Sequence, residues 1–215
     1  MQYISGDRMR RILFLGGPSG VGKSAVCKLI QKKIIQSKKI NYYQSMEKIG
    51  RLNGLSNKQI LLNWEKLEVM LFENVLLPII SRGDLLILDT HYSFQKNISP
   101  ARAFEKGYYP IGIAVSLSHT NAFIEKLVAE RVLIGAICLT APLEAIINRK
   151  LTDENRLTQT SKKTVEIEIV NEKKLWRLMT SRLKRKHAKL ICGVISNNKQ
   201  PSAACDAILS LMKLR

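Results

Sequence analysis

The sequence predicts an α/β protein: a five-stranded parallel sheet flanked by helices, with a small lid. Three observations predict it. Short apolar runs recur, as in Ile12-Leu13-Phe14-Leu15, Leu85–Leu88 and Val132–Leu139, and continuous runs of this kind suit strands buried on both faces. Between them lie segments whose apolar residues repeat at helical spacing, the alternation that builds a parallel sheet. Between the first strand and the first helix stands Gly17-Pro18-Ser19-Gly20-Val21-Gly22-Lys23-Ser24, a complete G-x-x-x-x-G-K-[ST] loop.

Each element has a local reason. Arg11–Gly16 reads as the first strand and Val21 to about Ser37 as the first helix, carrying Val26, Leu29, Ile30 and Ile34 on one side. Ile40-Asn41-Tyr42-Tyr43 reads as a short strand and Met46–Leu52 as a helix broken by Asn53-Gly54. Ser56 then caps a long helix ending near Pro78 or a turn beyond. Asp84–Asp89 is the third strand, closed by an acid, and Thr90–Pro110 is loop-like. Thr120–Arg131 reads as helix, Val132–Leu139 as strand, and Pro142 opens the next helix. Lys150–Lys163 is polar without apolar periodicity, as a lid that opens to water needs to be. A long basic helix follows, with Leu175, Met179 and Leu183 at four-residue spacing, then a strand at Leu190–Ile195 and a helix at Ser202–Leu214. Nothing in composition marks a linker, so residues 1–215 read as one domain.

The loop carries the most specific chemistry. Its glycines let backbone N–H groups close around phosphate oxygens, and the following helix adds the positive end of its dipole. Gly17, Ser19, Gly20, Val21, Gly22, Lys23, Ser24 and Ala25 are the expected nucleotide-phosphate ligands. Lys23 is placed to span the β- and γ-phosphates, and the Ser24 hydroxyl to hold Mg²⁺. Asp89 ends an apolar strand, where such proteins hold the metal or its waters; alternatively it caps the next turn. Arg149 and Arg156, with Asp153 between them, flank and enter the expected lid, where a planar guanidinium can clamp a transferring phosphoryl group; a surface ion pair is the plainer alternative. His91 orients an acceptor, bonds Asp89, or is an inert loop residue.

Composition bounds the partners. The chain has 35 Lys and Arg against 17 Asp and Glu, a formal charge of +18, which suits polyanions. Eight Lys or Arg fall between Lys173 and Lys189, with Glu172 at the edge of that stretch, so this basic helix is a candidate RNA surface. No run of about 18 apolar residues occurs, and Met1–Arg11 lacks the apolar centre of a secretory signal, so a cytoplasmic protein without a membrane span is expected. Cys27, Cys138, Cys192 and Cys205 are widely spaced, as expected of free thiols in a reducing compartment rather than a metal site.

The phosphate loop, Leu86-Ile87-Leu88-Asp89-Thr90-His91 and Arg149-Lys150-Leu151-Thr152-Asp153-Glu154-Asn155-Arg156 together resemble the archaeal-type adenylate kinases over nearly the whole chain. The loop spelling by itself also resembles guanylate kinases. The adenylate kinase resemblance implies a P-loop kinase fold, an acceptor-binding insertion at about 44–80 beginning at Ser45 and Met46, and a lid at about 150–163. It implies ATP:AMP phosphotransfer with Mg²⁺. Gly17–Ser24 would then hold ATP, Asp89 would serve the metal, and Arg149 and Arg156 would clamp the phosphoryl group. Two positions depart from the family. Its acceptor-side arginine has no counterpart in Asn57–Asn63, where Lys58 is the sole cation, and Asn171 is followed by Glu172 where the family has arginine. An adenylate kinase-like ATPase acting with RNA or ribosomal particles, and a small-metabolite kinase, are the competing readings.

Overall fold

Strand β1 (Arg11–Gly16) lies at the centre of the sheet, between β3 (Leu85–Asp89) and β4 (Leu133–Thr140), with β2 (Ser37–Asn41) and β5 (Leu190–Ser196) outside them. The order is β2-β3-β1-β4-β5 and every pairing is parallel. This is a computed structural model, and it describes residues 10–82, 84–91, 127–152, 161–186, 189–198 and 200–214. The helices are α1 (Lys23–Lys33), α2 (Tyr42–Leu52), α3 (Asn57–Leu62), α4 (Trp64–Leu71), α5 (Leu77–Ser81), α6 (Leu143–Leu151), α7 (Lys162–Lys186) and α8 (Pro201–Leu211).

Strand alternation divides the core between the two faces of the sheet. Ile12, Phe14, Leu86, Leu88, Ile134 and Ala136 face Tyr42, Met46, Ile60, Leu67, Leu71 and Met179. Leu13, Leu15, Leu85, Ile87, Ile137 and Leu139 face Val26, Cys27, Ile30, Ile146, Cys205 and Ile208. Both sides of each central strand are therefore apolar, which is why those strands read as continuous runs. Met212, just past α8, packs so close to β4 that a Cβ on Gly135 would stand 2.3 Å from its Sδ. Helix α7 meets both faces, through Val165 on one and Met179 and Leu183 on the other.

The sheet and helix layers match the expected fold class, with three corrections. Strand β2 ends at Asn41 rather than including Tyr42 and Tyr43. Asn41 caps α2, its Oδ1 accepting the Gln44 N–H at 3.0 Å, and this cap turns two residues of high strand propensity into the first turn of a helix. The long helix expected after Ser56 is instead α3, α4, a π-helical turn at Phe72–Leu76, and α5. Ser56 does start it: Ser56 N–H and Oγ–H both donate to Gln59 Oε1, while the Gln59 N–H donates to Ser56 Oγ, a capping box. The π turn lies just before Pro78, whose missing N–H cannot complete a regular ladder. Finally, α1 begins at Lys23 and ends at Lys33, two residues later and four earlier than expected. Of the loop expected at Thr90–Pro110 only Thr90 and His91 are described. Most of Thr120–Arg131 and residues 153–160 of the expected lid lie outside the described residues, and the two ends of that expected lid are helical, in α6 to Leu151 and in α7 from Lys162.

Candidate active site

The phosphate loop leaves the C-terminal end of β1, the strand on either side of which the chain's connections diverge toward β3 and β4. Crevices at such a switch point are where open α/β sheets hold ligands. Two glycines are required by space as well as by backbone angle. Gly17 has φ +142°, and a Cβ there would stand 2.4 Å from the Leu139 carbonyl oxygen. Gly22 has φ +94°, and its Cβ would stand 2.5 Å from Asn197 Nδ2. Helix α1 then starts without an acid in its first turn or a side-chain cap, so its first N–H groups and the exposed Ser24 and Ala25 face outward. Lys23 folds back over the loop: its Nζ donates to the Gly17 carbonyl at 2.6 Å and the Pro18 carbonyl at 3.3 Å.

A second set of contacts ties the loop to the end of β5. Arg149 donates from Nη1 to the Val21 carbonyl and from Nη2 to the Asn197 carbonyl, both at 3.0 Å. Asn197 Nδ2 donates to the same Val21 carbonyl at 2.8 Å, and its own N–H donates to Thr140 at 2.7 Å. Arg149, expected over the phosphoryl group, here uses both terminal nitrogens to brace the loop. Arg156 lies outside the described residues. Asn197 carries no motif of its own in the sequence. Its position just past the last apolar strand, at the ligand-bearing end of the sheet, is the signal that points to it.

Asp89 closes β3 with 5% of its surface exposed, and its Oδ2 lies 2.8 Å from Lys39 Nζ on β2. The exposed Ser24 hydroxyl and the Asp89 carboxylate are hard oxygen donors, so the residues fit Mg²⁺. Buried Cys27 feels the charge of this acid. Burial, and then the charge of Asp89, pushes its thiol up to about 12.

His91 connects the loop to α7. Its Nε2 lies 3.4 Å from Lys23 Nζ and its Nδ1 lies 3.2 Å from Glu172 Oε1. The imidazole thus lies between Lys23 and the fully buried Glu172, whereas Asp89 pairs with Lys39. Tyr43 stacks obliquely on the imidazole at 5.9 Å and meets Tyr42 edge-on at 5.2 Å. Burial first, and the Glu172 charge second, raises the Tyr43 phenol well above its ordinary range. The Tyr42 hydroxyl donates to Glu68, which is also fully buried. Of the two residues expected to begin the acceptor site, Ser45 is half-buried, whereas Met46 is wholly enclosed in the core between α2 and its neighbours and presents nothing to a ligand. Glu168, one turn before Glu172, reaches the loop itself: its Oε1 accepts the Ser19 N–H at 2.5 Å and its Oε2 pairs with Lys150 Nζ at 2.6 Å.

The arrangement gathers backbone N–H groups and a lysine ammonium at the loop and sets hard oxygen donors beside them, a combination suited to anions and a hard cation. On the far side of α7, Lys174, Arg177, Lys184 and Arg185 are exposed along one stripe. Among the described residues no helix is long and apolar enough to cross a membrane.

Three solved structures show the same fold. Shikimate kinase from Acinetobacter baumannii, in complex with shikimate, matches with a TM-score of 0.54 at 15% identity, over 96% of this chain and 95% of that one. Thymidylate kinase from Candida albicans matches at 0.56 and 13%, over 96% and 92%. The tunicamycin resistance protein of Deinococcus radiodurans matches at 0.53 and 13%, over 93% and 94%. No family model and no curated protein sequence matches the chain. The likeness is one of fold: the chain is an α/β protein with P-loop kinases among its structural neighbours.

Proposed function

We propose that this chain is an ATP-dependent phosphotransferase acting on a small acceptor. The observation that carries the reading is Lys23, lodged between the loop carbonyls and His91 at the end of the central strand, with Asp89 closing the adjacent strand. Phosphoryl transfer asks little covalent chemistry of a protein and much positioning. Here the loop amides bind the β- and γ-phosphates, Lys23 leaves the Gly17 carbonyl to span them, and Arg149 and Asn197 keep the loop from opening. When bound by Ser24 and Asp89, Mg²⁺ supplies charge neutralisation across the phosphate oxygens.

Within that reading, nucleoside monophosphate kinase activity of the ATP:AMP type is the finer proposal, supported by the Asp89-Thr90-His91 and Arg149–Arg156 resemblance. The insertion at 44–80, read as the acceptor side, holds one arginine, Arg51, which is half-engaged with Glu47 at 3.6 Å on the surface. AMP turnover slower than in the resembled family, which carries an arginine in the stretch matching Asn57–Asn63, follows from that composition. A second reading, an ATPase acting with RNA, is favoured by the exposed basic stripe on α7. One experiment separates them: product analysis with ATP and AMP, GMP, CMP, UMP and shikimate-like polyols, beside ATP turnover with and without RNA, each repeated with Lys23→Ala. Acceptor phosphorylation lost in Lys23→Ala supports the kinase. RNA-stimulated hydrolysis without any phosphorylated acceptor replaces it with the ATPase.

A further inference from the structure

Glu168 and Lys150 form an ion pair that the proposed transfer reaction does not use. Each is 6% exposed, and they come from different elements, α7 and α6. The pair does not close on itself. One carboxylate oxygen accepts from Lys150 Nζ and the other accepts from the backbone N–H of Ser19, the third residue of the phosphate loop. Two donors from separate parts of the chain thus converge on one planar anion, at an amide belonging to the segment that grips phosphate.

We infer that the Ser19 N–H and Lys150 together form a phosphate-oxygen subsite of the loop, and that Glu168 is a tethered competitor for it. This inference rests on the loop being a triphosphate site. A carboxylate and a phosphate both present paired oxygens to N–H donors, and two anions cannot both take one amide proton. The amide has a single proton to give, whereas an ammonium has three. An incoming phosphate therefore takes the Ser19 N–H from Glu168 outright, while Lys150 can hold the phosphate oxygen and the displaced carboxylate at once. Lys150 then becomes a ligand of the nucleotide, next in sequence to Arg149, which braces the same loop from its Val21 carbonyl. Because Glu168 is carried on a helix fixed by Val165 and Met179 in the core, it competes at high effective concentration. The apparent affinity for phosphate is lowered by the fraction of molecules in which Glu168 holds the amide.

The test uses the full chain, calorimetric titration with inorganic tripolyphosphate and with ATP, and thermal melting of every variant. Glu168→Gln weakens the acceptor and removes its charge, and Glu168→Asp keeps the charge for Lys150 but withdraws one methylene from Ser19. Both are expected to bind tripolyphosphate and ATP more tightly, by about tenfold for the glutamine variant. Lys150→Met is expected to bind both more weakly, by a similar factor. Folded Glu168 variants whose affinities stay within about twofold of wild type, or fall, overturn the inference and leave Glu168 a structural partner of Lys150. A measurement without substitution stands beside these: the carboxyl carbon resonance of Glu168 in the wild-type chain should move on saturation with tripolyphosphate, and an unmoved resonance overturns the competition even where the variants do not fold. Lys23→Ala separates this inference from the reading beneath it. If wild type binds tripolyphosphate and Lys23→Ala does not, the loop reading stands whatever Glu168 does; if wild type fails to bind either ligand, both fall together.

Discussion

Lys39 Nζ lies 2.8 Å from Asp89 Oδ2, so the acid that closes β3 already has a cation of its own. Lys39 and Asp89 are on adjacent strands, in the register Lys39↔Ile87 and Asn41↔Asp89, and the lysine leans forward along β2 to reach the carboxylate. A metal ion at Asp89 must share that carboxylate with Lys39. Replacing Lys39 by Met should therefore lower the Mg²⁺ concentration needed for half-maximal turnover, by several-fold. It should also reduce stability, because Asp89 is almost wholly buried and would lose its counter-charge. Asp89→Asn should do the reverse, weakening the Mg²⁺ dependence and slowing turnover with a melting temperature near wild type. Magnesium titrations of activity beside melting curves check both. An Asp89→Asn protein that unfolds readily yet turns over normally would make Asp89 a strand cap.

Lys23→Ala should leave the fold intact. Its ammonium reaches the Gly17 and Pro18 carbonyls and the His91 ring, groups of the loops at the sheet's end rather than of the apolar core. Turnover should fall by at least about a hundredfold, as loss of one preorganised charge-stabilising donor typically does. Steady-state rates and far-UV dichroism measured on one preparation check the two halves of this expectation.

Arg149→Lys tests whether the guanidinium acts on the loop or on the transferring group. A lysine can reach the Val21 carbonyl or the Asn197 carbonyl, but not hold both as the fork does. If the arginine mainly braces the loop, the substitution should raise KM for ATP and lower the melting temperature, while kcat changes little. A drop in kcat at constant KM would restore the phosphoryl clamp implied by the sequence resemblance.

The strands and the loop were legible because their signals are local. An apolar run, a glycine-lysine loop and a Pro at a helix start are each decided within about ten residues. Misplacements arose where a neighbouring side chain outvoted propensity, as Asn41 does for Tyr42 and Tyr43. The partners of the site were harder to see because they are distant in sequence: Ser19 meets Glu168 149 residues away, and Arg149 meets Val21 128 residues away. Yet α7 did carry a signal. Val165, Glu168, Glu172, Met179 and Leu183 fall on one helical stripe, and all are buried. Two acids on the inward stripe of a helix otherwise rich in Lys and Arg announce partners in the interior. A charge count over the whole helix averages that stripe away.

Cys27 and Cys138 are both fully buried and both have thiols raised to about 12, by burial before any charge. Neither should react with iodoacetamide at pH 8 in the folded chain, while both should react on unfolding. The shift also has a stability consequence. The unfolded thiol ionises near 9.0 and the folded one near 12, so the folded state is favoured fully below pH 9. Above pH 9 the unfolded chain loses protons that the folded chain keeps, and stability falls by about 1.4 kcal/mol per pH unit for each thiol until about pH 12. Denaturant melts between pH 8 and 10.5 should show this decline, and Cys27→Ala should make it shallower. An equal decline in the variant would mean that the thiol is not held protonated.

Glu172 occupies the position at which the resembled family carries an arginine, and its surroundings decide what a restored arginine would do. The residue is fully buried, 3.2 Å from His91 Nδ1, with the Tyr43 phenol and the Cys138 thiol both feeling its charge. Glu172→Arg would place a large cation where His91 and the nearby Lys23 already supply positive or donor groups. The guanidinium cannot be deprotonated, and a buried unpaired charge costs about 3–5 kcal/mol. The expected outcome is a melting temperature lowered by many degrees and no gain in AMP phosphorylation. Glu172→Gln keeps an oxygen for His91 and should stay folded, with the imidazole less firmly fixed beside Lys23 and turnover reduced several-fold. Melting curves and AMP turnover on both variants check this. A stable Glu172→Arg protein with faster AMP phosphorylation would show that this position faces the acceptor, and that the buried contact with His91 gives way when a phosphate is offered.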